Sequence, residues 1–299
     1  MIMSKPTMLF LLMFLMANVC AQQSSELIVP GAKPELLSEG YTFTEGPAVD
    51  REGNVYFTDL PNNRIMKWSI TNELTTFTTN SGRANGLYFD MDDRMVACSD
   101  MDNQLWRFTK DGNYEILVTD YDGKLLNGPN DVWVHPSGLI YFTDPMYKRD
   151  YWTRDPEIQQ DGEHVYLFNP KTKTLKKIID DLEKPNGLVG TPDGKTLYIA
   201  DIKANKTYAY TVEADGSLTN KRLFTSLGSD GMTIDEKGNI YLTGNGVTIF
   251  NPDGEQIEHI PIDSRWTSNV CFGGADMKTL FITATHYFFR LPMQVKGVK

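Results

Sequence analysis

The stretch PNDVWVHPSG, residues 129–138, belongs to a phrase that occurs six times along the chain and decides the fold. Each copy opens on a side chain that carries an oxygen and reaches a turn residue eight positions later. The six opening residues are Glu45, Asn85, Asn130, Asn186, Asp230 and Asn269. Their spacings of 40, 45, 56, 44 and 39 residues are typical of propeller blades or of helical arrays.

The segments that follow each phrase distinguish these two architectures. After every turn comes a run rich in β-branched and aromatic residues, such as NVYFTD at 54–59, LIYFTD at 139–144 and TLYIAD at 196–201. Short runs of this kind, separated by Asn, Asp, Gly and Pro, are typical of antiparallel strands, and no long window has helical periodicity. The sequence therefore predicts an all-β fold, a six-bladed β-propeller with four antiparallel strands in each blade.

The sixth repeat contains only three strand-like runs before the chain ends at Lys299. A blade with three strands would leave an unpaired edge. The segment PELLS, residues 34–38, precedes the first repeat and is free to supply the missing outer strand. We therefore expect the N-terminal segment to close the last blade, within one propeller domain spanning residues 22–299.

Composition excludes several classes of partner. The chain has 299 residues, a net charge of −10 and no basic stripe, so neither nucleic acid nor an anionic membrane surface is an expected partner. Nothing in the sequence predicts the oligomeric state. After the N-terminal leader discussed below, Cys98 and Cys271 remain, and their apolar surroundings predict two buried free thiols.

Residues 1–21 have the pattern of a secretory signal peptide. Lys5 is their only charge, and the apolar stretch from Met8 to Met16 is too short to span a bilayer. Small residues at 19–21 predict cleavage after Ala21 and export, which would make the protein periplasmic or secreted. Lipidation of Cys20 is the alternative, and the bulky Val19 before it makes that alternative weaker.

The six opening residues should meet in space. The first strand of a propeller blade lines the central channel, so the residues that open these strands should form a ring at one mouth of the channel. The ring, here called the oxygen ring, would hold two carboxylates and four amides, and such oxygen donors suit Ca²⁺. Asn and Asp also recur at strand entries because they form Asx turns, but that explanation does not account for Glu45.

Several motifs together resemble the gluconolactonase/regucalcin (senescence marker protein) family. The motifs are EGP at 45–47, RANGL at 83–87, LNGPNDV at 126–132, FTDP at 142–145, PNGL at 185–188, SDGM at 229–232 and NVCFGG at 269–274. The resemblance implies a six-bladed propeller that hydrolyses sugar lactones, with a lactone or sugar acid as its small-molecule partner. One departure is Gly128, since the animal members of the family carry an Arg there.

The resemblance also implies a divalent metal cofactor, usually Ca²⁺, with Mg²⁺, Mn²⁺ or Zn²⁺ as alternatives in activity. Its implied ligands are Glu45, Asn130, Asn186 and Asp230. Asp230 is the candidate general base, although a carboxylate bound to a cation has a lowered pKa and is a weaker base.

Substrate contacts are expected from the same mouth of the channel. The candidate substrate-binding residues are Arg83, Asn85, Asn127, Asn130, Tyr147 and Asn269. A long loop, residues 144–163, accounts for the 56-residue spacing, and loops of this length are often functional. Its aromatic residues could stack on a sugar ring, and its cations, including Arg149 and Arg154, could meet a carboxylate.

Two other functions stay open at this point. One is a non-catalytic propeller that binds a sugar or a partner, with the ion serving only to close the channel. The other is a related propeller esterase or phosphotriesterase. A propeller fold by itself does not choose among them.

Overall fold

Six four-stranded antiparallel sheets form the blades of a β-propeller in the computed structural model, which describes residues 26–298. The fold class predicted from the sequence is confirmed. The predicted signal peptide at 1–21 lies outside the described residues. Within residues 26–298, no helix is long and apolar enough to cross a membrane.

The strands of each blade follow one another from the channel outward. Blade 1 contains β2 (Thr44–Val49), β3 (Val55–Asp59), β4 (Arg64–Trp68) and β5 (Leu74–Thr78), with a 3-10 helix at Leu60–Asn62. Blade 2 contains β6 (Ala84–Phe89), β7 (Met95–Ser99), β8 (Gln104–Phe108) and β9 (Tyr114–Val118). Blade 3 contains β10 (Val132–Val134), β11 (Ile140–Asp144), β12 (His164–Asn169) and β13 (Thr174–Ile179).

The second half of the propeller repeats this order until the last blade. Blade 4 contains β14 (Pro185–Gly190), β15 (Thr196–Asp201), β16 (Lys206–Val212) and β17 (Leu218–Thr225). Blade 5 contains β18 (Met232–Ile234), β19 (Ile240–Gly244), β20 (Gly246–Phe250) and β21 (Gln256–Ile260). Blade 6 contains β22 (Asn269–Gly273), β23 (Thr279–Ala284), β24 (Tyr287–Pro292) and, as its outer strand, β1 (Glu35–Glu39).

The first hairpin of every blade turns at the residue eight positions after the opening one. These six turn residues all have positive φ, between 59° and 96°. They are Gly53, Asp93, Gly138, Gly194, Gly238 and Met277. Left-handed backbone is least costly for Gly and tolerable for Asp, which explains four glycines and an aspartate at this point of the repeat.

The hydrophobic core lies between neighbouring blades. The second strand of each blade is almost wholly buried, and its side chains pack against the next or the preceding blade. Blades 1 and 6 meet through Phe57 and Phe288, whose rings stack with centroids 4.1 Å apart and planes at 16°. Phe281 stacks on the other side of Phe288 at 5.7 Å.

The N-terminal strand closes the ring of blades, as predicted. β1 pairs antiparallel with β24, with Glu35 opposite Arg290 and Glu39 opposite Tyr287. On the inner side, the Ser268 hydroxyl donates a hydrogen bond to the Thr44 carbonyl at 2.6 Å and so links blade 6 to the start of blade 1.

We predict that Phe288→Ala destabilises the protein by about 3–5 kcal/mol, because it removes a fully buried ring from the contact that joins the first and last blades. Denaturant unfolding followed by circular dichroism measures the change. Ile116→Ala is the matched control, because Ile116 is 49% exposed in β9 and its loss should cost well under about 1 kcal/mol. Equal losses in the two variants would contradict this account of closure.

Candidate functional site

The oxygen ring is present at one mouth of the channel. Five of the six opening residues are buried and Asp230 is partly buried, and the glycines that follow four of them lie close to the opening residue of the next blade. The Gly86 N–H donates to the Asn130 carbonyl at 2.7 Å, and the Thr58 hydroxyl donates to the Asn85 carbonyl at 3.1 Å. A Cβ at Gly231 would lie 1.9 Å from the Asn269 side chain, so only glycine allows this approach. The structure brings Asn186 to Asp230 and Asn269 to Glu45, and convergence of the complete donor set stays a prediction.

Asp230 and Asn186 form one side of the ring. The Asn186 amide nitrogen donates to Asp230 Oδ1 and to the Tyr147 hydroxyl, each at 2.9 Å. The Trp266 indole N–H donates to Asp230 Oδ2 at 2.6 Å. Burial raises the pKa of Asp230 to about 6, against the lowering effect of these two donors.

Glu45 forms the opposite side together with Asn269. Glu45 Oε2 accepts from the Gly46 N–H at 2.9 Å and from the Asn269 amide at 3.4 Å. Burial raises the pKa of Glu45 well above its ordinary value, and the charge of Asp230 raises it further. A carboxylate whose charge raises the pKa of a second, buried carboxylate creates the electrostatic condition for holding a cation between them.

The donor set fits a hard divalent cation. The Asn186 side-chain oxygen is buried and has no hydrogen-bond partner among the described residues, so it is available as a ligand. Within residues 26–298, no three His, Cys, Asp or Glu side chains cluster closely enough to hold an ion alone. A cation here would therefore depend on asparagine oxygens beside Glu45 and Asp230, and such oxygens are ordinary ligands of Ca²⁺.

Asp131 occupies the position that glycine holds in four of the other repeats. Its Oδ1 accepts from the Val132 N–H at 3.0 Å, and its Oδ2 accepts from the Leu188 N–H at 3.4 Å, so it bridges blades 3 and 4. Burial raises its pKa to about 7. Beneath it, the channel widens into a cavity of about 300 Å³ that opens at the other mouth.

Most of the predicted site residues do not line this cavity. Its walls are mainly the apolar side chains of the inner strands, and of the oxygen ring only Asn269 lines it. Glu45, Asn186 and Asp230 face the mouth covered by the long loop. We therefore place the candidate site at that mouth, where the carboxylates and the unpartnered amide oxygen meet.

The long loop, residues 144–163, connects β11 to β12 on the side of the oxygen ring. Tyr147 reaches the ring through its hydrogen bond with Asn186, and the Lys184 ammonium lies 4.5 Å from the centre of its aromatic ring. The cations expected to meet a substrate have partners within the protein. Arg149 pairs with Asp100 at 2.6 Å, and Arg154 donates to the Asn127 carbonyl at 2.7 Å.

Two predicted substrate contacts lie away from the ring. Arg83 has its guanidinium 4.2 Å from the centre of the Tyr151 ring, under the long loop. The Asn127 amide donates to the carbonyls of Asp144 and Gly162, at 3.0 and 2.8 Å, and so holds the two ends of that loop. Its buried side-chain oxygen has no partner among the described residues and is the part of Asn127 left for a ligand.

Sequence reasoning missed Trp266 and Asp131. Trp266 lies in the loop that enters β22, and loops entering first strands share the mouth of the oxygen ring, so strand parity could have indicated it. Asp131 could have been found from the repeats, because it replaces the glycine at 46, 86, 187 and 231. Asp144, which ends β11, caps the loop that enters β10. Asp144 accepts from the N–H groups of Asn127 and Gly128, at 2.9 and 2.8 Å.

Comparisons with known proteins agree with the geometry. A family model described as the SMP-30/Gluconolactonase/LRE-like region matches residues 43–286. A gluconolactonase of Zymomonas mobilis is 28% identical over 88% of this chain and 82% of its own length. The structure of a gluconolactonase from Xanthomonas campestris is 30% identical, covers 90% of this chain and 91% of its own, and has a TM-score of 0.81. A calcium-binding regucalcin from Agrobacterium tumefaciens shares the fold, with a TM-score of 0.74 at 22% identity over 88% of this chain and 94% of its own.

We predict that Glu45→Gln stabilises the protein in EDTA at pH 8 but not at pH 4. The pKa of Glu45 is raised above that of the unfolded chain, so ionisation of this side chain costs stability. The cost is absent below about pH 4 and grows as the pH rises towards the raised pKa. Melting temperatures of variant and wild type at both pH values measure it.

Glu39→Gln is the control for that experiment, because Glu39 is an exposed carboxylate in β1, far from the oxygen ring in the outer strand of blade 6. Its melting temperature should differ from wild type equally at both pH values. If Glu45→Gln lowers the melting temperature at pH 8 in EDTA, burial of the charge is not what determines stability at the ring.

Proposed function

This chain belongs to the SMP-30/gluconolactonase/LRE-like family, and from that premise we propose that it hydrolyses lactones of sugar acids. The proposal includes a divalent cation held by Glu45, Asn130, Asn186 and Asp230, and Ca²⁺ is the first candidate for this cation. The observation that carries it is the hydrogen bond between Asn186 and Asp230 within electrostatic reach of the buried Glu45, at the end of the inner strands where Asn130 also lies. Gluconolactonase relatives that align over more than four fifths of both chains support the choice of reaction.

The oxygen donors divide into two functions. Glu45 and Asp230 supply the negative charge that attracts a cation, and the asparagines supply neutral oxygens that complete its coordination without adding charge. When bound, the cation would polarise the lactone carbonyl and stabilise the negative charge that develops on its oxygen. The buried position of the ring strengthens such electrostatic interactions, because water is excluded.

Asp230 is the residue best placed to move a proton. Its Oδ1 and Oδ2 are oriented by Asn186 and Trp266, so the carboxylate is fixed at the mouth of the channel. In the proposed reaction, Asp230 accepts a proton from water as the water oxygen bonds to the lactone carbonyl carbon. The ring C–O bond then breaks, the leaving oxygen takes up the proton, and the product is the open hydroxy acid.

Tyr147 and Asn269 complete the substrate environment. The Tyr147 hydroxyl accepts from Asn186 and keeps its own proton available for a substrate oxygen. Burial raises the pKa of this hydroxyl above its ordinary value, so it stays protonated at neutral pH. A polyhydroxylated ring is a suitable substrate for a site with this many fixed polar groups.

We predict that the purified protein opens aldonolactones in a panel of lactones assayed with added Ca²⁺, Mg²⁺, Mn²⁺ or Zn²⁺, and that EDTA abolishes this activity. Asp230→Asn should lower kcat/KM at least about 100-fold, because it removes both a charge and the proton acceptor. Release of acid from the lactone, followed with a pH indicator, measures turnover.

Asp193→Asn is the matched control, because Asp193 is an exposed carboxylate in the turn between β14 and β15 and should leave activity unchanged. Organophosphates and simple esters belong in the same panel. Turnover of organophosphates alone would replace the lactone assignment by a phosphotriesterase. Binding of lactone without turnover under every metal would establish a non-catalytic propeller.

We predict that Trp266→Phe moves the acidic limb of the pH profile of kcat/KM to higher pH. The indole N–H lowers the pKa of Asp230, so its loss leaves the carboxylate protonated over a wider range. We expect kcat/KM at neutral pH to fall about tenfold. Trp106→Phe removes an equivalent indole hydrogen bond, to Gln104 at 2.7 Å in blade 2, and should leave the profile in place. An unshifted profile in Trp266→Phe would remove Trp266 from the site.

A further inference from the structure

In each of blades 1 to 4, an aspartate lies at or just after the end of the second strand. Three of these four aspartates accept equivalent hydrogen bonds. Each accepts backbone N–H groups from the loop that enters the first strand of its own blade. Asp59 binds Thr42 and Phe43, Asp144 binds Asn127 and Gly128, and Asp201 binds Glu183 and Lys184. In three blades, these hydrogen bonds hold in place the loop that enters the channel-lining first strand.

Asp100, the fourth of these aspartates, departs from the pattern. Its Oδ2 accepts from Arg149 Nε at 2.6 Å and from the Tyr151 hydroxyl at 2.8 Å, and both donors belong to the long loop of blade 3. In blade 2, Asn63 instead binds the loop that enters the first strand. Its side-chain oxygen accepts from the N–H groups of Ser81 and Arg83 at 3.1 and 2.8 Å. The Asp100 carboxylate is therefore released to reach across to the next blade.

The surroundings of Asp100 make room for this contact. A Cβ at Gly128 would lie 2.7 Å from Asp100 Oδ1, so any larger residue there would displace the carboxylate. The Asp100 side chain is 4% exposed and that of Arg149 is 27% exposed, so the pair is shielded from water. A shielded, charged hydrogen bond is among the stronger polar contacts that a loop can make.

The Asp100–Arg149 pair is connected to the oxygen ring through Tyr147. The Arg149 guanidinium lies 5.6 Å from the centre of the Tyr147 ring, and the Tyr147 hydroxyl accepts from the Asn186 amide. On the other side, the Arg83 guanidinium packs on Tyr151. A displacement of Arg149 and Tyr151 would thus free Tyr147, which orients the amide of a candidate metal ligand.

We propose that Asp100 is a positioning residue that latches the long loop over the oxygen ring and thereby holds Tyr147 and the Asn186 amide in place for the lactone. The assignment of its purpose rests on the proposed function. The latch itself is a property of the folded chain and can be measured without turnover. Asp100 touches neither the substrate mouth nor the donor set, so it acts through Arg149 and Tyr151.

The first test is limited digestion with trypsin, because the long loop contains Lys148, Arg149 and Arg154. In Asp100→Asn, which keeps the shape and removes the charge, we expect cleavage after Arg149 to be about tenfold faster than in wild type. Mass spectrometry of the fragments locates the cut. Asp59→Asn is the matched control, an equally buried strand-end aspartate in blade 1 that does not contact the loop, and its loop cleavage should equal that of wild type.

The second test separates positioning from general damage to the fold. In Asp100→Asn we expect KM for the best lactone of the panel to rise about fivefold while kcat changes less than about twofold, because the loop retains the bound substrate. Terbium luminescence sensitised by nearby aromatic residues should report a metal affinity within about threefold of wild type, because the carboxylate ligands are untouched. Tyr151→Phe, which removes one of the two hydrogen bonds, should give a smaller change in the same direction and serves if Asp100→Asn does not fold.

Two results would overturn the latch. One is unchanged cleavage after Arg149 in folded Asp100→Asn and Tyr151→Phe. The other is equally faster cleavage in Asp59→Asn. If wild type cleaves no lactone in the panel, the proposed function fails, but the trypsin comparison still decides whether Asp100 holds the loop.

Discussion

Two acidic side chains, the buried Glu45 and the partly buried Asp230, lie within electrostatic reach of each other at the mouth of the channel, and neither forms an ion pair with a side chain in the described part of the chain. Burying an uncompensated charge is expensive, and an effective penalty of several kcal/mol per ion is typical. A fold that keeps two of them on its axis must either hold them protonated or attract a cation. The architecture around them favours a cation site, because one oxygen-bearing side chain lies at or near the start of each of the six inner strands.

The repeat is broken at a few positions near the candidate site. In most blades the phrase continues, after its first residue, with apolar strand residues and then with turn residues. Asp131 stands where four other repeats have glycine, and the long loop enlarges blade 3 alone. Asp100 turns its carboxylate away from its own blade. These three departures lie in blades 2 and 3, whereas the candidate cation ligands come from blades 1, 3, 4 and 5.

The fold was predictable because the phrase is periodic. Six turns at a fixed offset from six polar residues determine strand order and parity, and the closing strand β1 followed from the missing fourth strand of blade 6. The same geometry predicts that Glu45, Asn130, Asn186 and Asp230 converge, and the structure shows the Asn186–Asp230 part of this set in contact. The direction of each side chain could not be predicted from the repeat, because it depends on packing between residues far apart in sequence. Asn127 was expected at the substrate, but its amide holds the ends of the long loop. Likewise, nothing local in the sequence shows that Asp100 meets Arg149, 49 residues away.

The pairing of β1 with β24 has a consequence for how the molecule is made. Glu35 lies opposite Arg290, so the final sheet joins segments separated by nearly the whole described chain. Contacts of such long separation form late, because a large loop must be closed before they contribute. While the polypeptide is being synthesised, five blades can assemble in order, but the toroid stays an open arc with an uncovered edge. The circular arrangement of oxygen donors, and any ion affinity that depends on it, can be completed only after residue 292 has emerged.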